Sequence, residues 1–328
     1  MKINKKILIN LALFFYLLCY EQITSAQPSW SEWVFALRQE AIVSQQIDPD
    51  LFDRIFSTIT GPNLKILQFE QTQPERRITY IQYRDSRADA YKIRVGSKEY
   101  QKNKNILLQI GHDYLVDPCI IVALWGMESS YGRYMGHFSV VQSLATLAYA
   151  SPRKGRFRSE LFYALKILQQ NQVNLEQFQG EWAGASGQPQ FLPSSWFKYA
   201  VDYDNDGRKD IWKSKEDTFA SIANYLIKNG WQDNIPFMLE VKLPLYFDSR
   251  LVGKNIEKTV NEWNSLGVVT ASGGPLPYSD LLASIIKPYG GPALLIYPNF
   301  KVILTYNNSI YYAETIGYMA NQICMKFN

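Results

Sequence analysis

Three stretches of the chain carry residues whose types and spacing could do chemistry. The first is Ile120-Ile-Val-Ala-Leu-Trp-Gly-Met-Glu-Ser-Ser-Tyr-Gly132, an apolar run of helical length with one carboxylate, Glu128, near its end. Among Leu124, Trp125, Met127 and Tyr131 that carboxylate is poorly solvated if the helix is buried. Desolvation disfavours the charged form and raises the pKa toward the value a general acid needs near neutral pH. Ser129, Ser130 and Gly132 would end the helix and leave room for a ligand. A capped core helix whose Glu128 is salt-bridged or exposed is the other reading of the same residues.

The second stretch is Asp202-Tyr-Asp-Asn-Asp-Gly-Arg-Lys-Asp210. Acids at alternate positions followed by glycine form the front half of an EF-hand calcium loop. Oxygens of Asp202, Asp204 and Asp206 would converge, with the Arg208 carbonyl at the next alternate place and Gly207 allowing the sharp turn. The usual closing acid is absent, since Lys213 holds its place; Asp217, or its neighbour Glu216, could close a longer loop. The alternative is a solvated acidic turn. The third stretch, Gly180-Glu-Trp-Ala-Gly-Ala-Ser-Gly-Gln-Pro-Gln-Phe-Leu-Pro-Ser-Ser-Trp196, has too many Gly, Pro and small residues for one regular helix. It could let backbone amides approach a ligand while Gln188 and Gln190 bond sugar hydroxyls or amides, or it could simply connect packed helices.

The elements that must position these residues are mostly helical. Between Trp30 and Asn105, Trp33, Leu37 and Ala41 repeat at helical spacing, Asp48-Pro49 reads as a helix start, and Gly61-Pro62 as a break. Thr72–Arg77 reads as a polar loop and Tyr80–Tyr100 as a helical scaffold. Ile106–Leu115, the Glu128 helix with Pro118 in its first turn, Ser139–Tyr149 and Phe157–Gln170 read as further helices, followed by Thr218–Asn229. From Ile235 the texture changes: Phe237–Pro244 and Leu294–Tyr297 read as short strands, and Lys301–Ala313 leads into a last helix ending near Met325. The fold class expected is therefore mainly α with a small β-containing region. We divide the chain into residues 1–26, a helical region 27–105, a core 106–234 carrying the acidic loop, and a final region 235–328.

Composition bounds the function. At 328 residues the chain can bury a large core, and 47% apolar with 20% charged residues is globular rather than disordered. A net charge of +4 suits an anionic polymer or surface, but no Arg/Lys-rich run points to nucleic acid. Aromatics reach 14%, which serves sugar platforms and helix packing equally. Lys2, Lys5 and Lys6, the apolar Ile7–Tyr20 and Thr24-Ser25-Ala26 read as an export signal cleaved before Gln27. A lipid anchor at Cys19 is the alternative, although Leu17-Leu18 stand before it where small residues are expected. The remaining Cys119 and Cys324 could pair in an exported protein, but nothing in the sequence brings them together, and two buried thiols are the expectation. With His112 and His137 far apart and no Cys-x-x-Cys, zinc is not expected.

The ordered set of Glu128-Ser-Ser-Tyr-Gly, Gly184-Ala-Ser-Gly-Gln-Pro-Gln-Phe-Leu-Pro-Ser-Ser, the Asp-rich loop, Asn224-Tyr with Gly230-Trp231, and Tyr306-Asn-Asn-Ser309 resembles the B-type lytic murein transglycosylases. The likeness spans essentially the whole mature chain, including Gln73-Pro74-Glu75. It implies a lysozyme-like helical core, a calcium ion in the 202–217 loop, no organic cofactor, and a periplasmic enzyme acting on peptidoglycan glycan strands. Cell-wall synthesis or division proteins would be its partners. The reaction implied cleaves the β-1,4 bond between N-acetylmuramic acid and N-acetylglucosamine, leaving 1,6-anhydro ends. Glu128 would be the general acid and base, Gln190 would hold the sugar near the cleavage point, and Tyr306, Asn307 and Tyr312 would line the groove. Two departures stand out: Glu181 where the family is expected to carry a sugar-contacting Ser, and Ser186 where Met is common. A second carboxylate could raise the Glu128 pKa further, or activate water and make a hydrolytic muramidase. A wall-binding protein without activity is the non-enzymatic alternative.

Overall fold

The structure, a computed structural model, describes residues 27–71, 78–278 and 280–325. The expected export signal, residues 1–26 with Cys19, and the expected loop Thr72–Arg77 with Gln73-Pro74-Glu75 lie outside the described residues. The chain divides after Gln46 into two units. The first holds helix α1 (Trp30–Val43), which starts with a reciprocal cap: Ser29 accepts from the Glu32 N–H while the Glu32 carboxylate accepts from the Ser29 N–H at 2.8 Å.

In the second unit, α2 (Pro49–Phe56) begins as Asp48-Pro49 predicts, with Asp48 accepting from the Leu51 N–H. Helix α3 (Leu64–Gln71) follows the Gly61-Pro62 break. The stretch expected as one helical scaffold, Tyr80–Tyr100, is two helices, α4 (Tyr80–Arg87) and α5 (Ala90–Lys102), because Asp89 caps a new start by accepting from the Lys92 N–H at 2.7 Å. Then come α6 (Lys104–Tyr114), α7 (Pro118–Ser129), strand β1 (Phe138–Ser139), α8 (Val140–Ala150), α9 (Lys154–Gln169), β2 (Gln179–Gly180), α10 (Pro193–Tyr199) and α11 (Lys215–Lys228). Strands β1 and β2 pair antiparallel, Phe138 opposite Gly180.

Every residue of α7 from Ile120 to Gly126 is buried. A helix apolar on all sides has no solvent face and must be surrounded; α5, α6, α11 and the last helix of the chain pack around it. Among the described residues no single helix is long and apolar enough to cross a membrane.

The β-containing region is larger than its two expected strands. It comprises β3 (Met238–Lys242), β4 (Glu257–Thr259), helix α12 (Val260–Ser265), β5 (Val269–Thr270), β6 (Leu282–Ile286) and β7 (Ala293–Ile296) in one antiparallel sheet ordered β4-β6-β7-β3-β5. Trp263 of α12, fully buried, donates its indole N–H to the Ala283 carbonyl at 3.0 Å and packs with Val241, Ile285 and Leu295 on one face. The sheet delivers the chain into α13 (Pro298–Tyr306) and α14 (Ile310–Cys324), so Lys301–Ala313 is helical on both sides of an extended Asn307.

Helices α7 and α14 run antiparallel. Cys119, in the first turn of α7, is disulfide-bonded to Cys324 at the end of α14, with Cα atoms 6.3 Å apart. This corrects the expectation of two buried thiols: the pairing is a product of packing between helices separated by 205 residues, which local sequence does not encode. Closing so long a loop restricts the unfolded chain, so Cys119→Ser is expected to cost about 2–4 kcal/mol. Thermal melts of the wild type and the variant, with and without reductant, measure this; a wild-type melt insensitive to reductant and equal to the variant's contradicts it.

Candidate functional site

Glu128 sits in the last turn of α7, half-buried. One carboxylate oxygen, Oε1, accepts a hydrogen bond from the Tyr312 hydroxyl of α14. Burial pushes the Glu128 carboxyl up to about 7, against the opposing pull of the Tyr312 hydrogen bond and the Lys92 charge. Burial likewise drives the Tyr312 hydroxyl well above its ordinary value, with the Glu128 charge adding to the effect, so Tyr312 remains a donor at any working pH.

The segment after Glu128 is held in an uncommon backbone shape. Ser130 and Tyr131 take positive φ values of 51° and 64° in succession, a conformation that costs of order 1–3 kcal/mol per non-glycine residue and persists only when the surroundings impose it. Here they do. The Tyr131 hydroxyl donates to the Lys92 carbonyl at 2.9 Å, and its ring lies against α7, where a Cβ at Gly126 would fall 2.5 Å from it. Ser129 donates to the Trp125 carbonyl and accepts from the Gly132 N–H. The small residues after Glu128 thus turn the chain tightly away from the carboxyl.

The Gly-rich loop is a brace, and its two glutamines have different roles. Gln188 is buried and accepts from the Trp125 indole at 2.8 Å while donating to the Trp212 carbonyl at 3.3 Å. It fixes α7 and is not presented to a ligand. Gln190, with φ of 53°, uses its amide nitrogen on the carbonyls of Met135 at 3.1 Å and Gly187 at 2.9 Å. That orientation leaves its carbonyl oxygen as the group able to accept from a ligand N–H or O–H. The Tyr306 hydroxyl donates to the Pro189 carbonyl, and its ring packs 4.6 Å from Tyr225, the partner of Asn224 in the sequence motif. Glu160 secures the far end of the loop by accepting from the Ser194 N–H and hydroxyl.

Of the residues expected to line the groove, Tyr312 is spent on Glu128 and Tyr306 on the loop, while Asn307 is exposed at the end of α13. Glu181 lies beside Tyr134, whose hydroxyl pKa its charge raises. The charge that acts on Glu128 is that of Lys92. Tyr83 and Lys92 are functional candidates that the sequence reading missed. Burial first, then the positive Arg87 and the negative Glu128, act on the half-buried Tyr83 hydroxyl with a net rise. Both residues come from helices far upstream of Glu128, and no motif marks them.

The acidic loop forms a cation-sized cluster. Oxygens of Asp202, Asp204 and Asp217 lie within 4.8 Å of one another. Asp217 is fully buried, accepts from the Tyr203 and Asp210 N–H groups at 2.7 Å each, and is pushed up to about 6 by burial. Of the two proposed closing acids, Asp217 faces the cluster and Glu216 is exposed. Asp206 points one oxygen at the Arg208 N–H at 2.8 Å and stands outside the group of three, and Arg208 is exposed. Gly207, at φ of 89°, makes the sharp turn. Three hard oxygen donors with a desolvated carboxylate fit a calcium ion, whose charge would offset the burial of Asp217.

Cavities of about 560 Å³ beside Trp231 and about 430 Å³ beside Trp212 are not lined by Glu128. Residues 29–321 match the family model described as "Transglycosylase SLT domain". The chain belongs to that transglycosylase family. It is 29% identical over 256 residues to the membrane-bound lytic murein transglycosylase B of Escherichia coli K12, covering 75% of this chain and 68% of the relative. The structure of SltB3 from Pseudomonas aeruginosa in complex with NAG-NAM-pentapeptide is similar with a TM-score of 0.88 and 41% identity, over 92% of this chain and 80% of that one. The Escherichia coli transglycosylase Slt35 in complex with calcium matches with a TM-score of 0.79 at 24% identity, over 89% of this chain and 93% of that one. The fold is the lysozyme-like fold of Slt35.

In this transglycosylase the raised Glu128 pKa has a consequence for stability. Its carboxyl binds a proton more tightly folded than unfolded. The cost of ionising it is therefore absent below about 4.5, grows as pH rises, and is complete above about 7. Glu128→Gln removes that cost, by at most about 3 kcal/mol. The variant is expected to melt above the wild type at pH 8 and level with it at pH 4. A wild type that melts higher at pH 8 contradicts this electrostatic picture.

Proposed function

We propose that the chain is an exported, periplasmic lytic transglycosylase that cleaves the N-acetylmuramic acid to N-acetylglucosamine β-1,4 bond of peptidoglycan without consuming water, with Glu128 as its single acid and base. What carries this reading is the Glu128 carboxyl at the end of α7, held by Tyr312 and pushed up to about 7, so that protonated and ionised forms are both accessible near neutrality. Protonated Glu128 gives its proton to the glycosidic oxygen as the bond to the anomeric carbon breaks. The resulting carboxylate takes the proton of the muramic 6-hydroxyl, whose oxygen closes onto the anomeric carbon as a 1,6-anhydro ring. The proton returns to Glu128 and the substrate supplies the nucleophile, so a second carboxylate is not needed. Because Tyr312 occupies Oε1, the proton work falls to Oε2.

The remaining assignments support the same chemistry. Gln190 offers its carbonyl oxygen to the sugar next to the scissile bond, and Asn307 is the open polar group at the end of α13. Tyr306 contributes its ring edge and holds the Gln190 loop through Pro189. Glu181, beside Tyr134, sits on the rim as a polar contact and gives no support to a hydrolase in which it activates water. Glycan strands bearing stem peptides are the substrate class, in keeping with the muropeptide complexes of SltB3.

Calcium belongs in the 202–217 loop, held by Asp202, Asp204 and Asp217, with Asp206 and the Arg208 carbonyl at the periphery. Its role is structural: it ties the chain before α11 to the loop that follows α10.

Mass spectrometry of purified peptidoglycan after digestion tests the chemistry. Wild type should release muropeptides lighter than hydrolysis products by one water, and Glu128→Gln should release none, while reducing ends from wild type would mark a hydrolase. Chelation of divalent ions should lower the melting temperature and added calcium restore it; a melt indifferent to both would make the loop an acidic turn.

A further inference from the structure

Beside the candidate site lies a cluster of aromatic rings that the proposed chemistry does not use. Phe69 of α3, 40% exposed, stands edge-on to Phe138 of β1 with ring centroids 5.9 Å apart. Its other neighbour is the half-buried Trp182, whose ring lies 6.5 Å away and within 29° of parallel. A single exposed Phe is ordinary on a protein surface. Three partly exposed rings brought together from separate elements form an apolar patch that folding alone would have buried more fully. A cavity of about 220 Å³ opens against Trp182, between Phe157 and Leu192.

The patch is continuous with the rim of the candidate site. The segment 134–139 and the loop 180–190 are joined at two points: Phe138 pairs with Gly180 across β1 and β2, and Gln190 bonds the Met135 carbonyl. The same two segments therefore carry the aromatic cluster at one end and Gln190 at the other. A polymer seated at Gln190 that follows these joined segments would be led toward the rings.

We propose that Phe69, Phe138 and Trp182 form a platform for a distal sugar of the glycan strand, outside the pair of sugars being cut. A pyranose ring presents a flat face of C–H groups carrying slight positive charge. An aromatic face carries the negative lobe of its quadrupole and a large apolar area, so the two stack without either losing a hydrogen bond. The proposal rests on the reading of the chain as a glycan-cleaving enzyme. It adds that affinity grows with strand length, because only a strand extending past the cleaved pair would place a further sugar on Phe69.

The test compares kcat/KM on long glycan strands bearing stem peptides with kcat/KM on a tetrasaccharide of the same peptide-bearing repeat, for wild type, Phe69→Ala, Trp182→Ala and Trp182→Phe. The ratio of long to short is expected to fall roughly 3- to 10-fold in the two alanine variants, through KM rather than kcat. Trp182→Phe, which keeps an aromatic face, should hold most of the ratio. An unchanged ratio, or equal losses on both substrates, overturns the platform. If wild type cleaves neither substrate, the catalytic reading fails by itself. Calorimetric binding of the long strands to wild type and to Trp182→Ala then decides the platform separately, with equal affinities counting against it.

Discussion

Helices α7 and α14, distant in sequence, are locked side by side at both ends: Cys119 to Cys324 at one, Glu128 to Tyr312 at the other. The proposed chemistry depends on this pair. A carboxyl at the end of a fully apolar helix loses its water, and the loss of solvation raises its pKa. Left alone, such a group would be neutral and undirected. Tyr312 gives one oxygen a fixed donor and, with the Lys92 charge behind it, opposes the rise, so the carboxyl rests at about 7. A single residue can then give a proton and take one back.

The rest of the molecule works largely to keep that pair in register. Gln188 ties the Trp125 indole of α7 to the chain at Trp212, within the 202–217 loop. Tyr131, wedged against Gly126 and bonded to Lys92, forces the turn that frees the space beyond Glu128. The five-stranded sheet lies outside the catalytic chemistry, yet it supplies the route by which α13 and α14 come back to the core. Asn299, at the start of α13, anchors that return by bonding the backbone at Gln232 and Ile235. A cation in the acidic loop would stiffen the approach to α11 in the same spirit, away from the reacting atoms.

What could be read from the sequence was what is encoded locally. The apolar run with one acid and the Asp48-Pro49 start carry their meaning within a few residues and form the helices expected of them, while the alternating Asp loop brings Asp202 and Asp204 together but leaves Asp206 outside. Long-range features escaped. The disulfide, the placement of Tyr83 and Lys92 near Glu128, and the choice of Asp217 over Glu216 depend on packing between distant elements. Gln188 and Gln190 look equivalent in sequence, since both are amides flanking a proline; only burial separates a structural brace from a group open to ligand. Strand β6 escaped because its short apolar run lacks alternation, being buried on both faces for most of its length. Tyr80–Tyr100 divided because Asp89 offers the backbone a cap that helical periodicity does not register.

The most direct measurement is the ionisation of Glu128 itself, read as the carboxyl stretch in infrared difference spectra between wild type and Glu128→Gln across pH 3 to 9. The account predicts a single carboxyl that stays protonated through the ordinary carboxylate range and titrates near about 7. A midpoint near 4.5, the value of a solvated glutamate, would contradict it. The packing of α7 against α14 would then not be what equips Glu128 to serve as both acid and base.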